Sequence, residues 1–185
     1  MGDIAAGLQL QLAVYISALC TKENETFVGK NPTAAGMLYF KIDDPIVDAL
    51  PSEQKEMIDS LHKKKFKLSG LVLSDEDVIR AMDLKINTSS DILPARLSKG
   101  IPSGNVATQK QFAAITETAI HTAKRLSQEI LDGNVSIRPY QKEDKTPCAY
   151  CQYRAICTHD GKTFRQIEKK MPSEVWAEME AADGR

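Results

Sequence analysis

The run Gly36-Met37-Leu38-Tyr39-Phe40-Lys41-Ile42 decides the fold class. It is almost continuously apolar and stops at Asp43-Asp44-Pro45, a turn signal. A short run of this kind predicts a strand buried on both faces. Such strands belong to sheets covered by helices, so the expected class is α/β. Ahead of it, residues 21–33 are polar, with Gly29 and Pro32 as breakers. Residues 7–19 open with a strand-like alternation, but Leu8, Leu12, Tyr15, Ile16 and Leu19 recur at helical spacing over a helix-sized length. A helix is expected there.

Helical signals dominate downstream. One short helix is expected after Pro51-Ser52, with Met57, Ile58 and Leu61 facing inward. A second is capped by Ser74, opens with Asp75-Glu76-Asp77 at the positive end of its dipole, and packs through Val78, Ile79 and Met82. Residues 87–105 carry Pro94, Gly100, Pro102 and Gly104 and read as a loop or hairpin. The longest helix is expected over residues 109–131, with Phe112, Ile115, Ala119, Leu126 and Ile130 as its apolar stripe and Asp132-Gly133-Asn134 as its stop. Val135-Ser136-Ile137 predicts a short strand, and residues 174–180 a peripheral acidic helix. A single core strand among helices is an odd inventory, because a buried strand needs neighbours to satisfy its N–H and C=O groups. The pattern reads as the latter part of a larger fold.

Composition narrows the function classes. The 185 residues carry 24 Lys and Arg against 25 Asp and Glu, a formal charge of −1. Bulk electrostatics therefore does not select nucleic acid or an anionic membrane, and any such contact must come from a local patch. With 42 % apolar and 26 % charged residues the chain is globular in type, which excludes disordered and fibrous classes. Mean hydropathy is −0.31, and no apolar run approaches the roughly 18–20 residues that span a bilayer. Met1-Gly2-Asp3-Ile4 lacks the basic and apolar pattern of a signal peptide, and no Ser or Thr completes a myristoylation signal. A cytoplasmic protein without membrane contact is expected.

Cysteine placement agrees. Cys20 stands alone, while Cys148, Cys151 and Cys157 form C-x2-C-x5-C within Pro147-Cys148-Ala149-Tyr150-Cys151-Gln152-Tyr153-Arg154-Ala155-Ile156-Cys157. In a reducing compartment such a cluster is more often metal-binding than disulfide-bonded. Soft thiolates at this density select zinc or an iron–sulfur cluster, and unmetallated thiols are the plain alternative. Either metal wants a fourth ligand. Cys20 is remote in sequence, and His159, two residues after Cys157, makes a tight bite.

Several stretches, in order, resemble the C-terminal part of the AddB family, whose members are components of bacterial AddAB ATP-dependent helicase–nucleases. They are residues 7–15 (Gly-Leu-Gln-Leu-Gln-Leu-Ala-Val-Tyr), 35–40 (Ala-Gly-Met-Leu-Tyr-Phe), 67–73 (Lys-Leu-Ser-Gly-Leu-Val-Leu), Ala81-Met82-Asp83 and the cysteine cluster. The resemblance implies a RecB-like PD-(D/E)xK nuclease core, here incomplete, with a largely helical C-terminal extension. Residues 1–50 would be the distal nuclease core, 51–140 the helical extension, and 141–185 the iron–sulfur segment and tail. The family's Gln-x-x-x-Tyr motif is matched by Gln11 and Tyr15, whose spacing puts both on one helix face, where they would orient a phosphate or the attacking water. Cys148, Cys151 and Cys157 would supply three of the four ligands of a 4Fe-4S cluster, the fourth lying outside this chain. The partners implied are an AddA-like helicase–nuclease subunit and DNA, the process is the resection of double-strand breaks for homologous recombination, and the reaction requires Mg²⁺.

The family's metal-binding Asp and D-x-Lys precede the Gln/Tyr helix, whereas only six residues precede Gly7 here. The carboxylates that would hold Mg²⁺ and activate water are missing, so the isolated chain is expected to be inactive. Asp83-Leu84-Lys85, Glu53-Gln54-Lys55 and Glu143-Asp144-Lys145 fit the three-letter pattern, yet such matches arise by chance in a charged chain and are read as solvated charges. Asp43-Asp44 likewise reads as a turn. Lys63-Lys64-Lys65-Phe66-Lys67 is the one dense basic run, either a solvated helix end or a contact for a DNA backbone. No G-x-x-x-x-G-K-[ST] loop is present, so ATP used by the complex would be bound elsewhere. The rival reading is a small zinc-stabilised module that binds nucleic acid or protein. An enzyme built on His62, His121 or His159 ranks last, because no triad is visible. The edges of the residue 37–40 strand are expected to be covered by a second copy or by rearranged segments.

Overall fold

The computed structural model describes residues 2–21, 32–42 and 55–183. The expected helix start at Pro51-Ser52, the Asp43-Asp44 turn, Glu53-Gln54 and most of the polar stretch lie outside these residues. In chain order the elements are α1 (Gly2–Ala5), α2 (Gln11–Leu19), β1 (Gly36–Tyr39), α3 (Lys55–Lys65), β2 (Ser69–Leu73) and α4 (Glu76–Met82). Then follow β3 (Ala95–Ser98), β4 (Ile101–Gly104), β5 (Val106–Ala107), α5 (Gln109–Leu131), β6 (Tyr140–Gln141), a 3-10 turn (Pro147–Tyr150), β7 (Arg165–Gln166) and α6 (Pro172–Asp183). The chain divides into two compact units, residues 15–113 and residues 1–14 with 114–185.

The unit of residues 15–113 is built on a mixed sheet of order β1-β2-β5. β1 runs antiparallel to β2, with Gly36 opposite Val72 and Tyr39 opposite Ser69. β2 runs parallel to β5, with Val72 opposite Val106. Its core joins Val72, Ile79, Ile86, Leu93, Ala95 and Leu97, with Leu38, Leu68, Met82 and Val106 packed against them. Each large aliphatic side chain buried there stabilises the unit by about 1.5–3 kcal/mol.

The class is α/β as expected, but the decisive strand sits differently. Met37 is buried while Tyr39 and Phe40 are largely exposed, and β2 is the strand paired to β1 among the described residues. Apolar continuity did not mean two covered faces, because Phe40 stacks on Phe66 near the surface with ring centroids 6.1 Å apart. The central strand is β2, for which no element was expected. Gly70 interrupts its apolar pattern, and its φ of 136° is one that L side chains rarely adopt.

Other boundaries shift for local reasons. The N-cap of α4 is Asp75 rather than Ser74: its Oδ1 accepts from the Val78 N–H at 3.1 Å, while the Ser74 N–H is bonded to the Ala107 carbonyl at 2.7 Å. Residues 87–105 do form a hairpin, β3–β4. The expected helix over residues 7–19 begins only at Gln11, because α1 closes first, with the Leu8 N–H bonded to the Asp3 carbonyl at 2.7 Å.

In the other unit, α5 ends as its sequence signals. Gly133 takes a φ of 72°, and the Asn134 N–H returns to the Glu129 carbonyl at 3.0 Å. The predicted stripe of α5 is buried at Phe112, Ile115 and Ala119, but Ile130 is exposed. No strand forms at residues 135–137. The Ser136 N–H instead donates to the Asn134 side chain at 3.1 Å, and pairing begins at Tyr140 against Arg165. The tail is not peripheral, because α6 packs against α1 and buries Val175 and Met179. Among the described residues no helix is long and apolar enough to cross a membrane.

Candidate functional site

α2 carries Gln11 and Tyr15 four residues apart, and both are exposed. Its buried position is Ala13, so the amide and the phenol lie away from the side that packs. Among the described residues no group of three or more His, Cys, Asp or Glu side chains is placed to hold a metal ion. The residues present therefore do not fit a Mg²⁺ site, and no catalytic step through that ion follows from them.

The D-x-K at residues 83–85 is excluded by its bonding. Asp83 is not a freely solvated charge as expected: its carboxylate accepts from the Ser90 hydroxyl at 2.7 Å and from the Lys85 backbone N–H at 3.1 Å. The basic run also divides. Lys63, Lys64 and Lys65 are exposed in the last turn of α3, where cations complement the helix dipole. Lys67 is half-buried and donates to the Ser90 carbonyl at 2.7 Å, so it is a structural group.

The cysteine segment forms a cleft of about 390 Å³ bordered by Cys148, Cys151, Cys157, Arg154, His159 and Phe164. Thr146 caps the 3-10 turn by accepting from the Cys148 N–H at 3.4 Å, and Pro147 supplies its first residue. The return strand of the cleft is set by Asp160. Its carboxylate accepts from the Lys162 N–H at 2.8 Å, and from the Thr163 N–H at 3.0 Å and hydroxyl at 2.9 Å. These bonds, the Lys162 one first, hold its carboxyl down at about 2. All three cysteines are free thiols, Cys148 partly covered and the others exposed. Three soft donors facing one cleft fit an iron–sulfur cluster in donor chemistry, although they are not drawn to a common centre.

The zinc alternative gains no support. His159 Nδ1 accepts from the Gly161 N–H at 3.0 Å, which puts the proton on Nε2, and Nε2 lies 2.7 Å from the Thr163 carbonyl. Both nitrogens are thus engaged. Cys20 is exposed and belongs to the other unit. Sequence reasoning missed the parts of the cleft beyond residue 157. The Thr146-Pro147 cap was the local signal available, whereas the Asp160 turn had none.

Comparison with known proteins places these features. The chain is 36 % identical over 188 aligned positions to the B-type subunit of the ATP-dependent helicase/deoxyribonuclease of Clostridium kluyveri. It is 41 % identical over 182 positions to that of Clostridium tetani and 33 % over 189 positions to that of Ruminiclostridium cellulolyticum. These alignments cover 97 %, 95 % and 99 % of this chain but 16 % of each relative, so the chain spans about a sixth of their length. The model of the PD-(D/E)XK nuclease superfamily matches residues 2–158, a span that includes the Gln/Tyr helix, the mixed sheet and all three clustered cysteines. On that match the chain belongs to the PD-(D/E)XK nuclease superfamily.

Proposed function

We propose that this chain is the distal nuclease segment of a subunit of an ATP-dependent helicase–nuclease that degrades DNA ends in the repair of double-strand breaks by homologous recombination. The observation that carries this reading is the alignment: relatives so named match nearly the whole chain at 33–41 % identity. In this reading Gln11 and Tyr15 donate hydrogen bonds from the exposed side of α2 to a phosphate oxygen or to water. The acids and lysine of the metal site are supplied by polypeptide outside these residues. Cys148, Cys151 and Cys157 hold an iron–sulfur cluster with one further cysteine, and the cluster, when bound, ties the 147–157 segment down as a structural cross-link. The partner is an AddA-type helicase–nuclease subunit, ATP is consumed elsewhere in the complex, and the location is the cytoplasm.

A chimera tests this. The aligned sixth of the Clostridium tetani protein is replaced by this chain, and ATP-dependent degradation of linear DNA is measured with the partner subunit and Mg²⁺. Retained degradation, reduced by Gln11→Ala or Tyr15→Ala, is the expected result. A folded chimera that assembles with its partner but degrades no DNA would overturn the reading.

A further inference from the structure

Three arginines from three segments of one unit border a single cleft of about 290 Å³: Arg125 on α5, Arg138 ahead of β6, and Arg165 on β7. Strand pairing brings the last two together. Tyr140 faces Arg165 in the parallel register, and the Arg165 N–H donates to the Pro139 carbonyl at 2.9 Å. Glu129 is the one carboxylate in the lining. It accepts from Arg125 and, at 3.4 Å, from the Asn134 amide, and Arg138 stands 4.0 Å away. Arg165 makes one long bond, 3.4 Å, to the Ala6 carbonyl. The lining thus carries an excess of two positive charges.

An ordinary helix-surface pair accounts for Arg125 with Glu129. It does not account for two more arginines delivered by separate segments. One carboxylate shared among these donors orients them without neutralising them, and the Arg125 and Arg138 side chains remain 54 % and 67 % exposed. Their planar forks suit phosphate oxygens, and the Ser136 hydroxyl adds a neutral donor at the rim. Among the described residues lining the cleft there is no aromatic ring on which a base could stack. That favours a sugar–phosphate backbone over a free nucleotide.

We propose that this cleft binds the phosphodiester backbone of single-stranded DNA through Arg125, Arg138 and Arg165, independently of base sequence. The identity of the ligand rests on the DNA-cutting function proposed above. The site is separate from the lysine run of α3, which sequence alone singled out.

The test is fluorescence anisotropy of the full chain with a labelled oligo-dT of about 20 nucleotides across a series of KCl concentrations. Each single-strand phosphate contact contributes about 0.7 to the slope of log affinity against log salt. Arg138→Gln/Arg165→Gln is expected to lower that slope by about 1.4 and weaken binding about 10- to 30-fold at 0.1 M salt. Arg138→Gln alone, at an exposed position that leaves the fold intact, is expected to lower it by about 0.7. Unchanged slopes in both variants, with the loss appearing instead in Lys63→Gln/Lys64→Gln/Lys65→Gln, would overturn the proposal while leaving the DNA-cutting reading standing. Displacement of the oligonucleotide by millimolar inorganic phosphate at constant ionic strength would overturn it in favour of a free-anion site. An absence of oligonucleotide binding in the unaltered chain would count against both.

Discussion

The Ser90 hydroxyl donates to the Asp83 carboxylate at 2.7 Å, and this bond settles what the chain's most nuclease-like tripeptide does. The same oxygen accepts from the Ile92 and Leu93 N–H groups at 3.2 and 2.8 Å, and Ser90 is 1 % exposed. Asp83 is therefore a fixed link between the end of α4 and the turn that leads into β3.

Ser90→Ala would strand the Leu93 N–H in the core. A loss of about 1–3 kcal/mol in urea unfolding is expected. Asp83→Ala should also lower stability yet leave DNA degradation by the chimera unchanged once folding is matched. Degradation lost without a loss of stability would return Asp83 to the metal ligands.

Gly70 lies opposite Leu38 in the β1–β2 ladder, and a Cβ there would collide with the Met37 carbonyl oxygen. Backbone is less able than a side chain to move aside, and the φ of 136° is costly for any L side chain. Gly70→Ala is expected to destabilise its unit by at least about 2 kcal/mol, read as a lowered Tm. An unchanged Tm would mean that β1 does not pair in this register.

The cysteine cleft makes a prediction about metal. Anaerobic reconstitution with ferrous iron and sulfide should give visible absorption and bound iron, both lost in Cys151→Ser and Cys157→Ser and both kept in Cys20→Ser. Stoichiometric zinc with no uptake of iron would sink the iron–sulfur proposal.

Asp160 supplies a pH dependence. Its carboxyl sits at about 2, below the ordinary 3.8, because the ionised form accepts the Lys162 and Thr163 bonds. A depressed acid stabilises the fold fully above its unfolded value and loses that contribution as pH falls through its folded value. The turn of residues 159–163 should therefore hold above about pH 4 and open between about pH 4 and 2. The Thr163 amide shift in an acid titration reports it, and a transition centred above pH 4 would contradict the bonding described.

Legibility followed the range of the forces involved. The stop at Asp132-Gly133-Asn134, the acidic opening of α4 and the cysteine spacing depend on neighbours within a turn or two, and each could be read from local sequence. Ser74 and Asp75 could not be ranked as caps, since either side chain can serve. The choice fell to Asp75 because the Ser74 N–H is taken by Ala107, more than thirty residues away. Likewise Lys67 looked like a fourth member of a basic run until its amine was found on the Ser90 carbonyl.

By itself the sequence determined the α/β class, the helix that carries Gln11 and Tyr15, and the three thiols of residues 148–157. These follow from periodicity, spacing and an ordered set of motifs. Only the tertiary structure decided that β2 is the central strand, that Asp83 is bonded to Ser90, that His159 has no nitrogen to offer a metal, and that three arginines share one cleft. Those outcomes depend on which distant segments pair and which donors reach a given acceptor first. Local chemistry sets what a side chain can do, and long-range packing chooses among its options.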